Sequence, residues 1–309
     1  MTPIAAARRS LRPLKKAIRD WTESPQGLAR ALRGFNVTTS ARINGKRFEI
    51  PVRGGLGLKN REVGEAWMID LLERLLRVTA SAGLIDVGVN IGQTLLKLKS
   101  INENLRWIGF EPNPTCVGLV HELIRLNDFT DCHLFPVALS DRAGALPLIA
   151  SSEADDCASV VPELRPDRRA FREQFIAALV FDELPLPVRN IRLVKVDVEG
   201  AERQVLEGMR QFLQRERPIV VCEVLHAHSV DTLESCGRQN RAMVDLFQAL
   251  DFRIFWLKKD GARIGGLEPV AAFPDVVWTD QSWGACDYAI VPGEQTSRLL
   301  AEFTGAARP

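Results

Sequence analysis

From residue 83 onward the chain of 309 residues alternates short apolar runs with longer amphipathic ones, and this rhythm constrains the fold more than any other feature. Runs at 84–88, 107–110, 133–138, 192–196, 218–224 and 252–256 read as strands, and 92–100, 114–127, 202–215 and 238–250 as helices. Strands buried on both faces and separated by helices make βαβ units, hence a parallel sheet covered on each side. A last strand is expected at 287–291, and a small helix and tail at 293–309. No internal repeat recurs at a fixed period.

Upstream, residues 35–43 and 46–52 flank Asn44 and Gly45, a dipeptide that supplies the positive φ angles of a tight hairpin turn. A glycine-rich connector at 54–57 precedes a helix expected over 61–79, where Val63, Trp67, Leu71, Leu72, Leu75 and Val78 recur at helical spacing. The boundaries that follow are a basic N-terminal arm at 1–34, the hairpin and helix at 35–80, the alternating α/β domain at 81–292 and a C-terminal tail at 293–309.

The formal charge of +1 hides an asymmetry. Residues 1–33 hold eight basic and two acidic residues, a local +6, which leaves −5 for the remainder. That balance excludes a uniformly basic nucleic-acid coat. The arm, broken by Pro13 and Pro25, reads either as a solvated extension or as a peripheral contact with an anionic membrane or polyanionic substrate. No run approaches the roughly 18 apolar residues of a bilayer span, and none resembles the core of a secretory signal. The six cysteines are widely spaced, with no Cys-x-x-Cys pair, so they read as reduced packing residues in a cytoplasmic protein. Residues 141–190 break the rhythm with an acidic patch at 151–159 and a charged helix expected at 163–174. They read as a solvated connection or as a lid over the ligand cleft.

Three segments carry chemistry. The first is Asp-Val-Gly-Val-Asn-Ile-Gly-Gln at 86–93, a buried strand that turns through glycine into a helix. A dinucleotide fingerprint needs Gly-x-Gly-x-x-Gly to admit a pyrophosphate. Here Asn90 takes the place of the second glycine, the third is missing, and Asp86 would repel phosphate while attracting an ammonium or sulfonium group. The second is Phe-Glu-Pro-Asn-Pro at 110–114, where Glu111 ends a second strand in position to accept hydrogen bonds from ribose hydroxyls. The third is Lys-Val-Asp-Val-Glu-Gly-Ala-Glu at 195–202. Period-two geometry puts Lys195, Asp197 and Glu199 on one side of the strand, and Lys195 should pair with Glu223 or Asp86, because a buried cation needs a partner. Ligands of open α/β sheets bind beyond the carboxyl ends of the strands, where Asp197, Glu199, Glu223 and His226 should gather.

Together with Val-Ala-Leu-Ser-Asp at 137–141, Phe-Asp-Glu-Leu at 181–184 and Glu223, these segments resemble the FkbM family of S-adenosylmethionine-dependent methyltransferases over residues 36–292. Val89 departs from the family's usual alanine by a small increase in size. The resemblance implies a class I, Rossmann-like α/β fold with a mostly parallel seven-stranded sheet flanked by helices, extended by an N-terminal helix and β-hairpin. It implies S-adenosylmethionine as cofactor, with Asp86, Gly88, Asn90 and Gly92 around its methionine part, Glu111 on the ribose, and Ala138 and Leu139 along the adenine. It also implies O-methylation, often of sugar hydroxyls in glycolipids, polysaccharides or natural products.

An alcohol must lose its proton as it attacks, and Asp197, Glu199, Glu223 and His226 are the candidates for a general base. Asp197 and His226 are favoured, and Asp197 could instead lie near the methionine amino group. Clustered carboxylates could hold Mg²⁺, although no metal ligand is assigned. His121 and His133 read as structural. The competing functions are a nicotinamide-dependent oxidoreductase, which the Asn90 loop disfavours, and a noncatalytic saccharide- or partner-binding protein.

Overall fold

The computed structural model describes residues 36–62, 64–150, 172–186, 188–279, 282 and 284–304. The basic arm, the acidic patch at 151–159, most of the expected helix at 163–174 and the last residues of the tail lie outside them.

The hairpin forms as its turn residues demand. Strands β1 (Asn36–Ile43) and β2 (Lys46–Arg53) pair antiparallel in register, and Asn44 and Gly45 take φ of 49° and 79°. Helix α1 (Trp67–Thr79) follows. It begins six residues later than the apolar spacing suggests, because residues 58–61 form a 3₁₀ turn and Glu65 adopts a left-handed φ of 51°.

The sheet is then built from β3 (Gly83–Val87), α2 (Gln93–Ile101), β4 (Arg106–Phe110), α3 (Pro114–Leu126) and β5 (Cys132–Phe135). After an excursion it continues through β9 (Leu193–Val196), α4 (Glu202–Gly208), α5 (Arg210–Glu216), β10 (Ile219–Glu223) and α6 (Val230–Ala249). Strands β11 (Phe252–Asp260), β12 (Arg263–Val270) and β13 (Asp287–Pro292) and helix α7 (Thr296–Thr304) complete it. The strand order is β12-β11-β13-β10-β9-β3-β4-β5. Neighbours from β5 to β10 run parallel, while β13 runs antiparallel to both β10 and β11.

The expected α/β architecture therefore stands, with eight strands in the main sheet instead of seven. The additional strand is β12, whose Gly265, Gly266 and Pro269 conceal it in sequence. It is an edge strand, and Asp70 of α1 accepts a hydrogen bond from the Ile264 amide at 2.9 Å, which satisfies one otherwise open donor. The excursion also differs from expectation. Strands β6 (Ala138–Leu139), β7 (Gly144–Ala150) and β8 (Arg172–Leu179) form a separate three-stranded sheet, so residues 172–174 belong to a strand and not to a helix. The expected helix at 202–215 is two helices. Asp182 accepts hydrogen bonds from the amides of Gln211 and Phe212, at 2.7 and 2.9 Å, and so starts α5 afresh.

Period-two alternation sorts the strand residues into two cores. Leu84, Trp107, Leu193 and Val221 face α1, the hairpin and α7, while Ile85, Ile108, Val194 and Val220 face α4, α5 and α6. The hairpin is thus part of the core on that face of the sheet: Phe48, Ile50 and Val52 are buried in it, and Asn127 bonds both the amide and the carbonyl of Glu49 at 2.8 Å. Lys99 is wholly buried, and its ammonium donates to the carbonyls of Glu103, Leu105 and Thr130, which uses its three donors. The five cysteines among the described residues are free thiols. Among the described residues, no helix is long and apolar enough to cross a membrane.

Candidate functional site

The carboxyl ends of β3, β4, β9 and β10 converge on a cleft of about 280 Å³, where the topology of an open α/β sheet places ligands. The glycine turn forms one wall. Gly88 and Val89 donate their amides to the Phe110 carbonyl at 3.0 and 3.3 Å, which fixes the turn to the end of β4. Asn60, buried beneath it, donates to the Ile91 carbonyl at 2.7 Å. Asn90 takes a φ of 55°, a conformation that asparagine tolerates better than most residues.

Glu111 lies at the end of the cleft and is 7% exposed. Its Oε2 accepts from the Asn90 amide at 2.7 Å and its Oε1 from the Asn113 amide at 2.8 Å. Burial pushes its pKa up to about 7, against the lowering effect of these two bonds. Gly88, Asn90, Glu111, Ala138 and Leu139 all line the cleft, with Leu148 of the small sheet beside the last two.

Asp86 and Gly92 do not line it. Asp86 is wholly buried, accepts from Trp107 Nε1 at 3.2 Å, and lies 3.8 Å from the Lys195 ammonium. It therefore sits below the cleft, because a side chain on β3 before the turn points into the sheet layer. Gly92 packs against Leu123 and Val120 of α3. Sequence spacing alone does not separate a residue of the turn from one beneath it.

Along β9, Lys195 contacts Asp197 at 3.0 Å as well as Asp86. The expected carboxylate partner is thus Asp86, joined by Asp197. Burial would raise the Asp197 pKa, but the Lys195 ammonium and hydrogen bonds from Glu223 and Lys195 hold it below the ordinary value. Glu223 moves the other way. Burial and the neighbouring Asp197 charge push its carboxyl far above the carboxylate range, so Glu223 keeps its proton at neutral pH and bonds to Asp197.

A second cavity of about 610 Å³ adjoins the cleft. Glu65, Glu199 and Glu223 line both spaces, whereas Asp197 lines only the cleft and His226 only the larger cavity. His226 Nδ1 is buried without a hydrogen-bond partner among the described residues, and burial lowers the ring's pKa, so the imidazole is neutral at pH 7. Trp67 and Trp278 supply aromatic surface. Lys259 lies 4.4 Å from the Trp67 ring centroid and is paired with Asp287 on β13, opposite Glu223. Glu65, Trp67, Lys259, Trp278 and Asp287 carry no local motif. What they share is a place on the lining of the larger cavity, which only the folded chain reveals. Among the described residues, no group of three or more His, Cys, Asp and Glu side chains is arranged to hold a metal ion.

The Methyltransferase FkbM domain matches residues 86–254. Methyltransferase sdnD of Sordaria araneosa is 29% identical over 154 residues, covering 41% of this chain and 60% of that protein. The chain therefore spans 60% of the length of this curated relative. Among solved structures, the methyltransferase FkbM from Methylobacillus flagellatus KT is similar with a TM-score of 0.38 at 16% identity, covering 56% of this chain and 39% of that one. An O-methyltransferase from Bacillus cereus, solved in complex with SAH, is similar with a TM-score of 0.37 at 10% identity, covering 74% and 80% of the respective chains.

Proposed function

The chain belongs to the family of methyltransferase FkbM domains, and on that premise we propose that it moves a methyl group from S-adenosylmethionine to a hydroxyl oxygen of a sugar in a glycolipid, polysaccharide or natural product. The observation that carries this reading is the seam between two cavities, lined on both sides by Glu65, Glu199 and Glu223. A transfer enzyme needs one space for donor, one for acceptor, and a passage between them.

The residues of the cleft fit the donor. Both oxygens of Glu111 are already aligned by backbone amides, which suits a carboxylate that receives ribose hydroxyls. Ala138, Leu139 and Leu148 offer an apolar wall for an adenine ring, and Gly88 and Asn90 bring backbone close to the remainder. When bound, S-adenosylmethionine supplies an electrophilic methyl group on a positively charged sulfur. Carboxyl groups in place of a phosphate-binding turn favour such a cation.

On the acceptor side, Trp67 and Trp278 contribute aromatic lining and the surrounding carboxyl and imidazole groups offer hydrogen-bond partners, a lining suited to a polyhydroxylated ring. His226 is the base in this reading. Its ring is neutral and lines the acceptor cavity, where a base contributes about 10² to 10⁴ in rate. Asp197 does not reach that cavity and is already engaged by Lys195 and Glu223. Its part is to hold Glu223 in place as a neutral hydrogen-bond donor.

Calorimetry with S-adenosylmethionine tests the donor, and NAD serves as the contrasting ligand. Methyl-tritiated S-adenosylmethionine offered with free and lipid-linked saccharides tests the acceptor. Label recovered as a stable sugar ether supports the proposal. Binding of NAD without binding of S-adenosylmethionine, or label transferred only to amine or thiol acceptors, removes it.

A further inference from the structure

Glu65 occupies the turn before α1, where no motif announces it. It holds a left-handed φ of 51° while its carbonyl accepts the Met68 amide at 2.9 Å. Such a conformation costs a non-glycine residue roughly 1 kcal/mol, and backbone of this kind concentrates where the surroundings demand a particular placement. The placement here is at the seam, since the side chain lines both the cleft and the larger cavity.

The carboxylate is also anchored. Its Oε2 lies 3.2 Å from the ammonium of Lys97 on α2, and the two side chains are 53% and 4% exposed, respectively. The pair is thus directional, with the cation sunk against the helix and the anion presented to the open spaces. Burial lowers the Lys97 pKa and the nearby Glu65 charge opposes that shift. Two of the three carboxyl groups that line both cavities differ in character: Glu223 is engaged with Asp197 and keeps its proton, while Glu65 is matched to a cation.

Methyl transfer removes one positive charge from the donor, because a sulfonium becomes a neutral thioether as the acceptor oxygen gives up its proton to a base. An anion fixed beside the passage attracts the first species and not the second. We propose that Glu65 is a specificity-determining residue that favours the charged donor over the neutral product by presenting an anchored carboxylate at the seam. The inference rests on the methyltransferase reading above. It gives the enzyme a means of releasing product against a pool of fresh donor.

The test is calorimetry on the full chain at low salt, titrating S-adenosylmethionine and S-adenosylhomocysteine into the wild-type protein, Glu65→Gln, Glu65→Asp and Glu65→Ala, with thermal melts as a check on folding. The ratio of the two affinities should fall about fivefold in Glu65→Gln and Glu65→Ala, equivalent to about 1 kcal/mol, and be largely retained in Glu65→Asp. A ratio within about twofold of wild type in the folded, uncharged variants overturns the inference. So does loss of both ligands from a folded Glu65→Gln protein, since the carboxylate would then be a general support of the cleft. A wild-type protein that binds neither ligand overturns the methyltransferase reading instead.

Discussion

The ammonium of Lys195 stands 3.0 Å from Asp197 and 3.8 Å from Asp86, and so serves one carboxylate just past the end of β9 and one on the neighbouring β3. Asp86 has no exposure at all, and its Oδ1 receives no hydrogen bond among the described residues, so the Lys195 cation is the main favourable charge beside it. Removing one partner of a buried pair leaves an uncompensated charge, at a cost of about 3 to 5 kcal/mol. Lys195→Met should lower the urea midpoint accordingly. Adding Asp86→Asn should recover part of the loss, because the orphaned charge disappears with it. Equal stability of the single and double variants would show that Lys195 acts only on the exposed side of the pair.

How far the sequence foretold this arrangement depends on whether a signal is local. The alternation of apolar runs, the Asn44 and Gly45 turn, and the link between Lys195 and Asp86 are legible because each rests on spacing along one strand or on the need to pair a buried charge. Strand β12 is not, since Gly265, Gly266 and Pro269 weaken its alternation and its stability comes from β11 and from Asp70 of α1. Glu65, Lys97 and Asp287 escape notice for a similar reason. Each is an ordinary charged residue in sequence; Glu65 and Asp287 reach the cavities, and Lys97 pairs with Glu65, only because the fold joins distant segments. Asp86 shows the opposite failure, because the turn motif points to it although the fold buries it beneath the turn.

Glu202 supplies a prediction about pH. It is 5% exposed, caps the amides of Val198 and Gly200, and burial pushes its pKa from 4.5 up to about 7. The folded state therefore binds its proton more tightly than the unfolded chain does. The associated stability is fully present below the unfolded value and is lost as pH rises through about 7. Between about pH 5 and pH 8 this single group should remove about 2 to 3 kcal/mol. Urea midpoints measured across that range should fall more steeply in wild type than in Glu202→Gln. Parallel slopes would place the proton elsewhere.

Glu111 should couple protons to donor binding. Its pKa in the free protein is raised to about 7, whereas a carboxylate that receives ribose hydroxyls must be ionised. Affinity for S-adenosylmethionine should therefore rise as pH rises through about 7, by about tenfold between pH 6 and pH 8. Glu111→Gln should bind at least about tenfold more weakly, the loss of a charge-assisted hydrogen bond, and should lose most of the pH dependence. Calorimetry at the two pH values separates these effects. A wild-type affinity that does not change with pH would mean that Glu111 is already ionised before the donor arrives.

Gly88 and Gly45 form a matched pair for testing how closely the turn approaches β9. Both have positive φ, 83° and 79°, so alanine at either position carries the same conformational penalty of roughly 1 kcal/mol. Their surroundings differ. A Cβ at Gly88 would lie 1.7 Å from the Asp197 carbonyl oxygen, whereas at Gly45 nothing lies within 4 Å. Neither strand can retreat easily, because the Asp197 amide donates to the Val87 carbonyl at 3.0 Å and ties the two backbones together immediately before the contact. Gly45→Ala should thus lower stability by about 1 kcal/mol and leave S-adenosylmethionine binding intact. Gly88→Ala should cost about 3 kcal/mol or more, in the range of overpacked or strained sites, and should abolish binding by forcing the cleft wall apart. Equal shifts in the urea midpoints of the two variants would mean that φ alone selects glycine at position 88, and that the turn has room to spare above Asp197.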